Sequence, residues 1–343
     1  MSSHILVIRL SAMGDVAMTV PVLRAFSLQY PNVKITVVSR PFFKPFFDDI
    51  ENITFFPIDL KERHKGFLGL LRLFSDLRKL NIAAVADLHN VLRSKIITTL
   101  FALNGKKVAV TDKGRQDKKA LTKLAIKTIS PIKSMFDRHV ETFEKLGFQI
   151  NLENPTFPEK AILSEEIIKI TGKKAENWIG MAPFAQYESK VYPTDLMQQV
   201  IDNLAKNTSN KILLFGGGSE EIKQLNQLKN NHENVLVLAG KTNLKEELAI
   251  ISNLNVMLSM DSGNAHIAAM LGVKVITLWG ATHPFAGFQP FNQPDDFCLT
   301  SDRKQFPFLP TSVYGNKKVA GYENAMRTIL PSQVIEKIEK ELM

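Results

Sequence analysis

The sequence predicts an α/β protein of two doubly wound parallel-sheet domains. Three observations predict it. Short β-branched and aliphatic runs alternate with helical periodicities along the chain. The alternation breaks once, at the proline-bearing, aperiodic stretch Asn151–Glu159, and then restarts. Loops rich in Gly, Asp and Ser join strand ends to helix starts, where open α/β sheets hold ligands. A chain of 343 residues also favours two domains over one. The expected boundaries are 1–155, 156–325 and a terminal helical segment, 326–343.

In the first half, His4–Arg9 is a buried-type strand. Leu10–Asp15 leads from it into a helical pattern, Val16–Tyr30, with apolar Val16, Val20, Leu23 and Phe26. Pro21 inside that pattern predicts a bend or a late helix start. A dinucleotide fingerprint needs three spaced glycines, and here only Gly14 is present. Asp15 sits at the helix start on the carboxyl edge of the first strand, and reads either as a ligand-facing carboxylate or as an N-cap. Lys34–Ser39 and Ile53–Ile58 are the next strands. Phe42, Phe43, Phe46 and Phe47 between them read as core. Gly66–Leu80 is an amphipathic helix and Ala83–Leu88 a strand. His89, Arg93 and Ser94 follow that strand's carboxyl end and are candidates for substrate contact. Lys106–Val110 is a short strand. The Lys-rich stretch Thr111–Ser130 reads as a flexible basic segment facing an acceptor, or as a solvated helix. Phe136–Leu146 is a helix stopped by Gly147.

In the second half, a helix near Ser164–Lys173 precedes the strand Trp178–Met181. The loop Ala182–Pro193 carries Lys190 as its only cation, a point charge suited to a phosphate. Asp195–Ala205 is a helix. Strand Lys211–Phe215 runs into Gly216-Gly217-Gly218-Ser219-Glu220, where glycines admit a flat ligand and Glu220 offers an acceptor to ribose hydroxyls; a flexible turn is the alternative. Ile222–Asn231 is a helix and Val235–Ala239 a strand ending in Gly240-Lys241-Thr242. Helix Lys245–Ser252 and strand Val256–Met260 lead to the turn Asp261-Ser262-Gly263-Asn264. The turn opens a short helix, Ala265–Leu271, with His266 in its first turn, and strand Lys274–Trp279 closes a right-handed βαβ unit. Backbone N–H groups at such a helix start can cradle a diphosphate; plain capping by Asp261 or Ser262 is the alternative. The last helix is Ser332–Leu342.

Composition narrows the classes. The net charge is +9, but residues 61–145 hold 19 Lys/Arg against 8 Asp/Glu, or +11. The first half therefore either meets an anionic partner or carries a solvated basic surface. Nucleic acid is disfavoured, because aromatics do not interleave with the Lys-rich stretch. Cys298 is the one cysteine, which excludes an internal disulfide. No signal peptide and no run of roughly 18 apolar residues is visible, so a soluble, cytoplasmic protein is expected. No D-x-D triplet, a carboxylate clamp for metal-bound sugar nucleotides, occurs.

Six stretches in order, RLSAMGDVAMTVPVLRAF, DLHNVLRS, ESKVYP, LLFGGGSEE, LAGKTNLKEELAII and SMDSGNAHIAAMLGVKVITLWGATHP, resemble glycosyltransferase family 9, the bacterial heptosyltransferases of lipopolysaccharide core assembly. The resemblance implies a GT-B architecture, two Rossmann-like domains facing across a cleft, with the last helix crossing back to the first. It implies an inverting enzyme that needs neither metal nor cofactor, with ADP-L-glycero-D-manno-heptose as co-substrate. Asp15 matches the general base and Lys190 the phosphate-binding lysine. Asp261, Ser262, Gly263 and His266 match the diphosphate-binding turn, Thr242 the adenine contact and, more loosely, Glu220 the ribose contact. Ala185 and Gln186 stand where the family has small hydroxyl residues, so Gln186 is a candidate replacement for a phosphate contact. Ser11, Gly14, His89 and Arg93 are the acceptor-side candidates. The implied acceptor is an anionic Kdo-lipid A or heptosyl core at the inner face of the cytoplasmic membrane, which the protein would touch peripherally. The alternatives are another two-Rossmann sugar-nucleotide enzyme, such as an epimerase, and a non-catalytic anionic-lipid-binding protein.

Overall fold

The computed structural model describes residues 4–174 and 176–343. The chain forms two compact units, residues 1–114 with 133–157, and 115–132 with 158–343. The first contains β1 (His4–Ile8), α1 (Met13–Ala17), α2 (Thr19–Gln29), β2 (Lys34–Ser39), β3 (Ile53–Pro57), α3 (Gly66–Arg78), β4 (Ala84–Asp87), α4 (Leu92–Leu103) and β5 (Lys107–Val110). The chain leaves it at α5 (Arg115–Leu121) and returns at α6 (Met135–Glu144). The five strands are parallel in the order β3-β2-β1-β4-β5, with β1 paired to β2 from His4↔Lys34 and to β4 from Ile5↔Ala84. The aliphatic strands are buried because helices cover both sheet faces. Leu70, Leu73 and Leu77 of α3 and Ile97 and Phe101 of α4 pack over Leu6, Ile8, Val38 and Val85.

Pro21 has the expected effect. The helical run splits into α1 and α2, and Pro21 stands in the first turn of α2, where its missing N–H costs nothing. Of the four phenylalanines expected in the core, Phe43, Phe46 and Phe47 are buried in and beside a 3₁₀ turn, whereas Phe42 is 57% exposed.

The second unit contains α7 (Glu165–Thr171), β6 (Asn177–Ala182), α8 (Thr194–Leu204), β7 (Asn210–Leu214), α9 (Ser219–Lys229), β8 (Val235–Val237), α10 (Leu244–Ser252), β9 (Val256–Met260), α11 (Gly263–Met270), β10 (Lys274–Trp279), β11 (Cys298–Thr300) and α12 (Pro331–Leu342). Its six parallel strands run β11-β10-β9-β6-β7-β8. The strand order thus reverses between β1 and β4 in one sheet and between β6 and β9 in the other, as in doubly wound nucleotide-binding sheets. Two segments differ from expectation in membership. The Lys-rich segment clusters with the second unit: Lys118 lies 4.2 Å from the centre of the Phe288 ring, and Lys127 donates to Phe308 O at 2.9 Å. The last helix, expected to run back to the first domain, buries Val334 and Ile338 in the second unit's core and packs on α8. Among the described residues, no helix is long and apolar enough to cross a membrane.

Candidate functional site

Loops that follow parallel strands share one sheet edge, and a crevice opens where the strand order reverses. In the second unit the loop after β6 and the turn after β9 flank that point. They bring Lys190 Nζ within 2.9 Å of Asp261 Oδ2, with the side chains only 12% and 8% exposed. Such a withdrawn pair costs far more to break by removing one partner than a surface pair does. Ser262 occupies the N-cap of α11 in extended geometry (φ −147°, ψ 175°). Its hydroxyl meets Ser259 Oγ at 3.1 Å, and the first amides of α11, from Gly263 on, receive no side-chain cap. Uncapped amides at the positive end of a helix dipole suit an anion. His266 is buried in the same first turn.

Lys190 ends a short 3₁₀ turn, Glu188–Lys190, held by contacts that the local sequence does not announce. Ala281 N donates to Ser189 O at 3.0 Å, and Ser189 Oγ donates to Gly315 O at 2.7 Å. A Cβ on Gly280 would sit 2.4 Å from Ser189 O, and one on Gly315 (φ +83°) 2.5 Å from Lys190 Cδ. Both glycines are therefore required by close approach, and Gly315 also by its left-handed backbone.

The other candidates of this unit lie on neighbouring loops. Gly216–Gly218 follows β7, and Gly218 (φ +81°) is the N-cap of α9. Glu220 is exposed and accepts from Gln224 at 3.2 Å. It is Glu221, one position on, that turns back to accept from Gly217 N at 2.8 Å. Thr242 follows β8, its hydroxyl 3.5 Å from Leu238 O and 3.4 Å from Glu247 Oε1, two acceptors for one proton. Burial holds the Glu247 carboxyl above the usual carboxylate range, partly offset by the Thr242 hydrogen bond. Gln186 is exposed on the loop after β6.

In the first unit the reversal point lies between β1 and β4. Arg9, 6% exposed, anchors there on backbone: Nη1 donates to Leu88 O at 2.6 Å and Nε to Ser11 O at 2.9 Å. Its remaining Nη2 holds Asp15 Oδ2 at 2.5 Å, and the Asp15 side chain stays 36% exposed. Asp15 is the third residue of α1, and Ala12 N approaches the same oxygen at 3.4 Å; the N-cap position weighed for Asp15 from the sequence belongs to Ala12, and Asp15 reaches back to it from inside the helix. His89 follows β4, with Leu10 N 3.4 Å from its Nδ1. Burial first, then the neighbouring positive charges of Arg9, Lys113 and Arg40, push His89 down to about 3, against a smaller opposing effect of Asp15. Asp87 shapes this loop by accepting from the amides of His89 and Asn90, both at 2.8 Å. Gly14 lies inside α1, and Arg93 is exposed in the first turn of α4. Ser94 is fully buried and exchanges hydrogen bonds with Val91 N and O at 3.0 Å, so it caps α4 and faces no ligand. Sequence reasoning missed Arg9; the signal was a cation closing an otherwise apolar strand.

A profile of glycosyltransferase family 9 (heptosyltransferase) matches residues 70–317. The chain is 24% identical over 344 residues to the lipopolysaccharide core heptosyltransferase OpsX of Haemophilus influenzae, covering 97% of this chain and 95% of that one. Among solved structures it is similar to a family 9 glycosyltransferase of Veillonella parvula (TM-score 0.73, 20% identity, 99% of this chain and 97% of that one). It is also similar to the E. coli heptosyltransferase WaaC with ADP (TM-score 0.68, 20% identity, 98% and 99%). At such identities the structures speak for the two-sheet fold, and the profile match speaks for the family. The chain belongs to glycosyltransferase family 9 and is a glycosyltransferase.

Proposed function

We propose that this enzyme moves heptose from ADP-L-glycero-D-manno-heptose to the inner core of lipopolysaccharide, onto a Kdo-lipid A or heptosyl acceptor, with inversion and without a metal ion. The observation that carries the reading is the close pair of Lys190 and Asp261 beside the uncapped start of α11. Sugar transfer passes through an oxocarbenium-like state while negative charge grows on the departing diphosphate. Lys190 and the amides of α11 offer fixed positive charge for that diphosphate, which would draw Lys190 from Asp261. The acceptor oxygen bonds to the anomeric carbon as the carbon–oxygen bond to the diphosphate breaks, and the hydroxyl proton passes to Asp15. Glu220, Thr242 and Gln186 remain the candidates for ribose, adenine and phosphate contact, and Ser11, Gly14, His89 and Arg93 for the acceptor.

The donor and acceptor assignments draw support from the relatives, which are described as lipopolysaccharide and lipooligosaccharide heptosyltransferases, and from the solved relatives holding ADP and an ADP-2-deoxy-2-fluoro heptose. An acceptor of this kind would bring the enzyme to the inner face of the cytoplasmic membrane. The test is calorimetry with ADP, GDP and UDP, followed by transfer from ADP-heptose to Kdo-lipid A scored by mass spectrometry. Selective ADP binding and a product heavier by one heptosyl unit are expected. Tighter binding of UDP, or release of free sugar without an acceptor product, would contradict the reading.

A further inference from the structure

Two helices of the first unit begin with large apolar side chains in water. Phe67 and Leu68, in the first turn of α3, are 63% and 67% exposed, and Leu92, which opens α4, is 77% exposed. α3 and α4 pack side by side, and their buried stripes need none of these three residues. Crossover helices of a parallel sheet start at the carboxyl edge of the strands. The three side chains therefore lie along the sheet edge that also carries Asp15 and His89.

Their surroundings are basic. Lys61, Lys65, Arg72 and Arg93 are all exposed. Of the nearby carboxylates, Asp59 is engaged by the amides of residues 61–63, and Asp76 is bridged by Arg63 at 2.6 Å. Glu62 is the exposed exception. Apolar side chains ringed by lysine and arginine complement an anionic bilayer, whose phosphates meet the cations while its head-group region accepts the apolar groups.

We propose that this edge is a membrane-contact surface: Phe67, Leu68 and Leu92 enter the head-group region of an anionic bilayer, and Lys61, Lys65 and Arg93 bind its phosphates. The inference deepens the proposed function and rests on it for the lipid-bearing acceptor that the contact would serve. It explains why apolar residues stay uncovered at one edge, beside the candidate base.

The full chain is tested by co-sedimentation with vesicles of phosphatidylglycerol and phosphatidylethanolamine, and with vesicles of phosphatidylcholine alone. Binding to the anionic vesicles, weakened by salt, is expected. The double variant Phe67→Ser, Leu68→Ser should bind them about tenfold more weakly or worse. Leu103→Ser, at the opposite end of α4 and 82% exposed in the native chain, should bind as the native chain does. A second readout uses brominated lipid, since the native Trp178 and Trp279 are 0% and 1% exposed. Phe67→Trp should add emission that the lipid quenches, and Leu103→Trp emission that it does not. Absence of native-chain binding, equal binding by the double variant, or equal quenching at positions 67 and 103 would overturn the proposal. So would binding to a soluble polyanion such as heparin with no preference for vesicles. Transfer to a water-soluble acceptor fragment is scored in parallel. If the native chain gives none yet binds vesicles through Phe67 and Leu68, the proposed function fails and the membrane contact stands.

Discussion

The two sheets place an ion pair at the same topological position and use it in opposite ways. In the first, Arg9 is the buried, anchored partner, fixed by two backbone carbonyls, and the carboxylate of Asp15 is the member left 36% exposed. In the second, Asp261 sits beside a helix start and is slightly more buried than Lys190, at 8% against 12% exposure, while the cation hangs on a short turn clamped by two glycines. One edge thus presents an anion on a rigid cation. The other holds a cation that an incoming anion can compete for. A base for a hydroxyl proton and a clamp for a leaving diphosphate require those opposite polarities.

The contrast can be broken at either edge. Asp15→Asn keeps the shape and removes the proposed base, so transfer from the proposed donor, ADP-heptose, should fall by about 10³-fold, with the product rate measured at saturating donor. Lys190→Ala should lower the same rate by about 10²-fold, and restoration of the rate by Lys190→Arg would show that charge suffices. A smaller effect sharpens the picture of the clamp. Gly315→Ala forces a Cβ against Lys190 in a left-handed backbone, and should cost about 1–3 kcal/mol, seen as a lowered Tm together with weaker ADP binding. Gly321, also left-handed at φ +81° but with nothing within 4 Å of its would-be Cβ, provides the comparison: Gly321→Ala should strain the backbone without moving ADP affinity.

The mildest effect belongs to the first edge. His89 is held down to about 3 in the folded protein, against an ordinary 6.5. Below pH 6.5 the unfolded chain takes up a proton that the folded chain refuses, so this contribution is full above 6.5 and falls away toward pH 3. His89→Asn should therefore lose less stability than the native chain between pH 7 and pH 5, read by thermal unfolding. His283, lowered to about 4 chiefly by burial, is present in both proteins and cancels from the difference.

Much of this was legible in the residues. Strand runs such as Lys34–Ser39 and Lys274–Trp279 were readable because a strand buried on both faces must be apolar throughout. Asp15, Lys190 and the turn at Asp261 stand out as candidates because each follows such a strand and precedes a helix. Long-range contact hid the rest. Nothing near Gly280 or Gly315 announces that Ser189 and Lys190 press against them, and nothing near Arg9 announces Leu88 O. Helix register explains the difference between Glu220 and Glu221, since one residue turns a side chain about 100° around the axis. Here α9 starts at Ser219 on a glycine N-cap, three residues before the expected Ile222. The Lys-rich segment shows weak periodicity because it is mostly irregular, and contacts such as Lys118 on Phe288 tie it into the second unit.

The division of labour between the edges is tested most directly by titrating ADP calorimetrically into the native protein, Lys190→Ala and Asp15→Asn. The account predicts that Lys190→Ala weakens ADP at least tenfold while Asp15→Asn binds it as the native protein does. Equal weakening by both substitutions, or undiminished binding by Lys190→Ala, would contradict it.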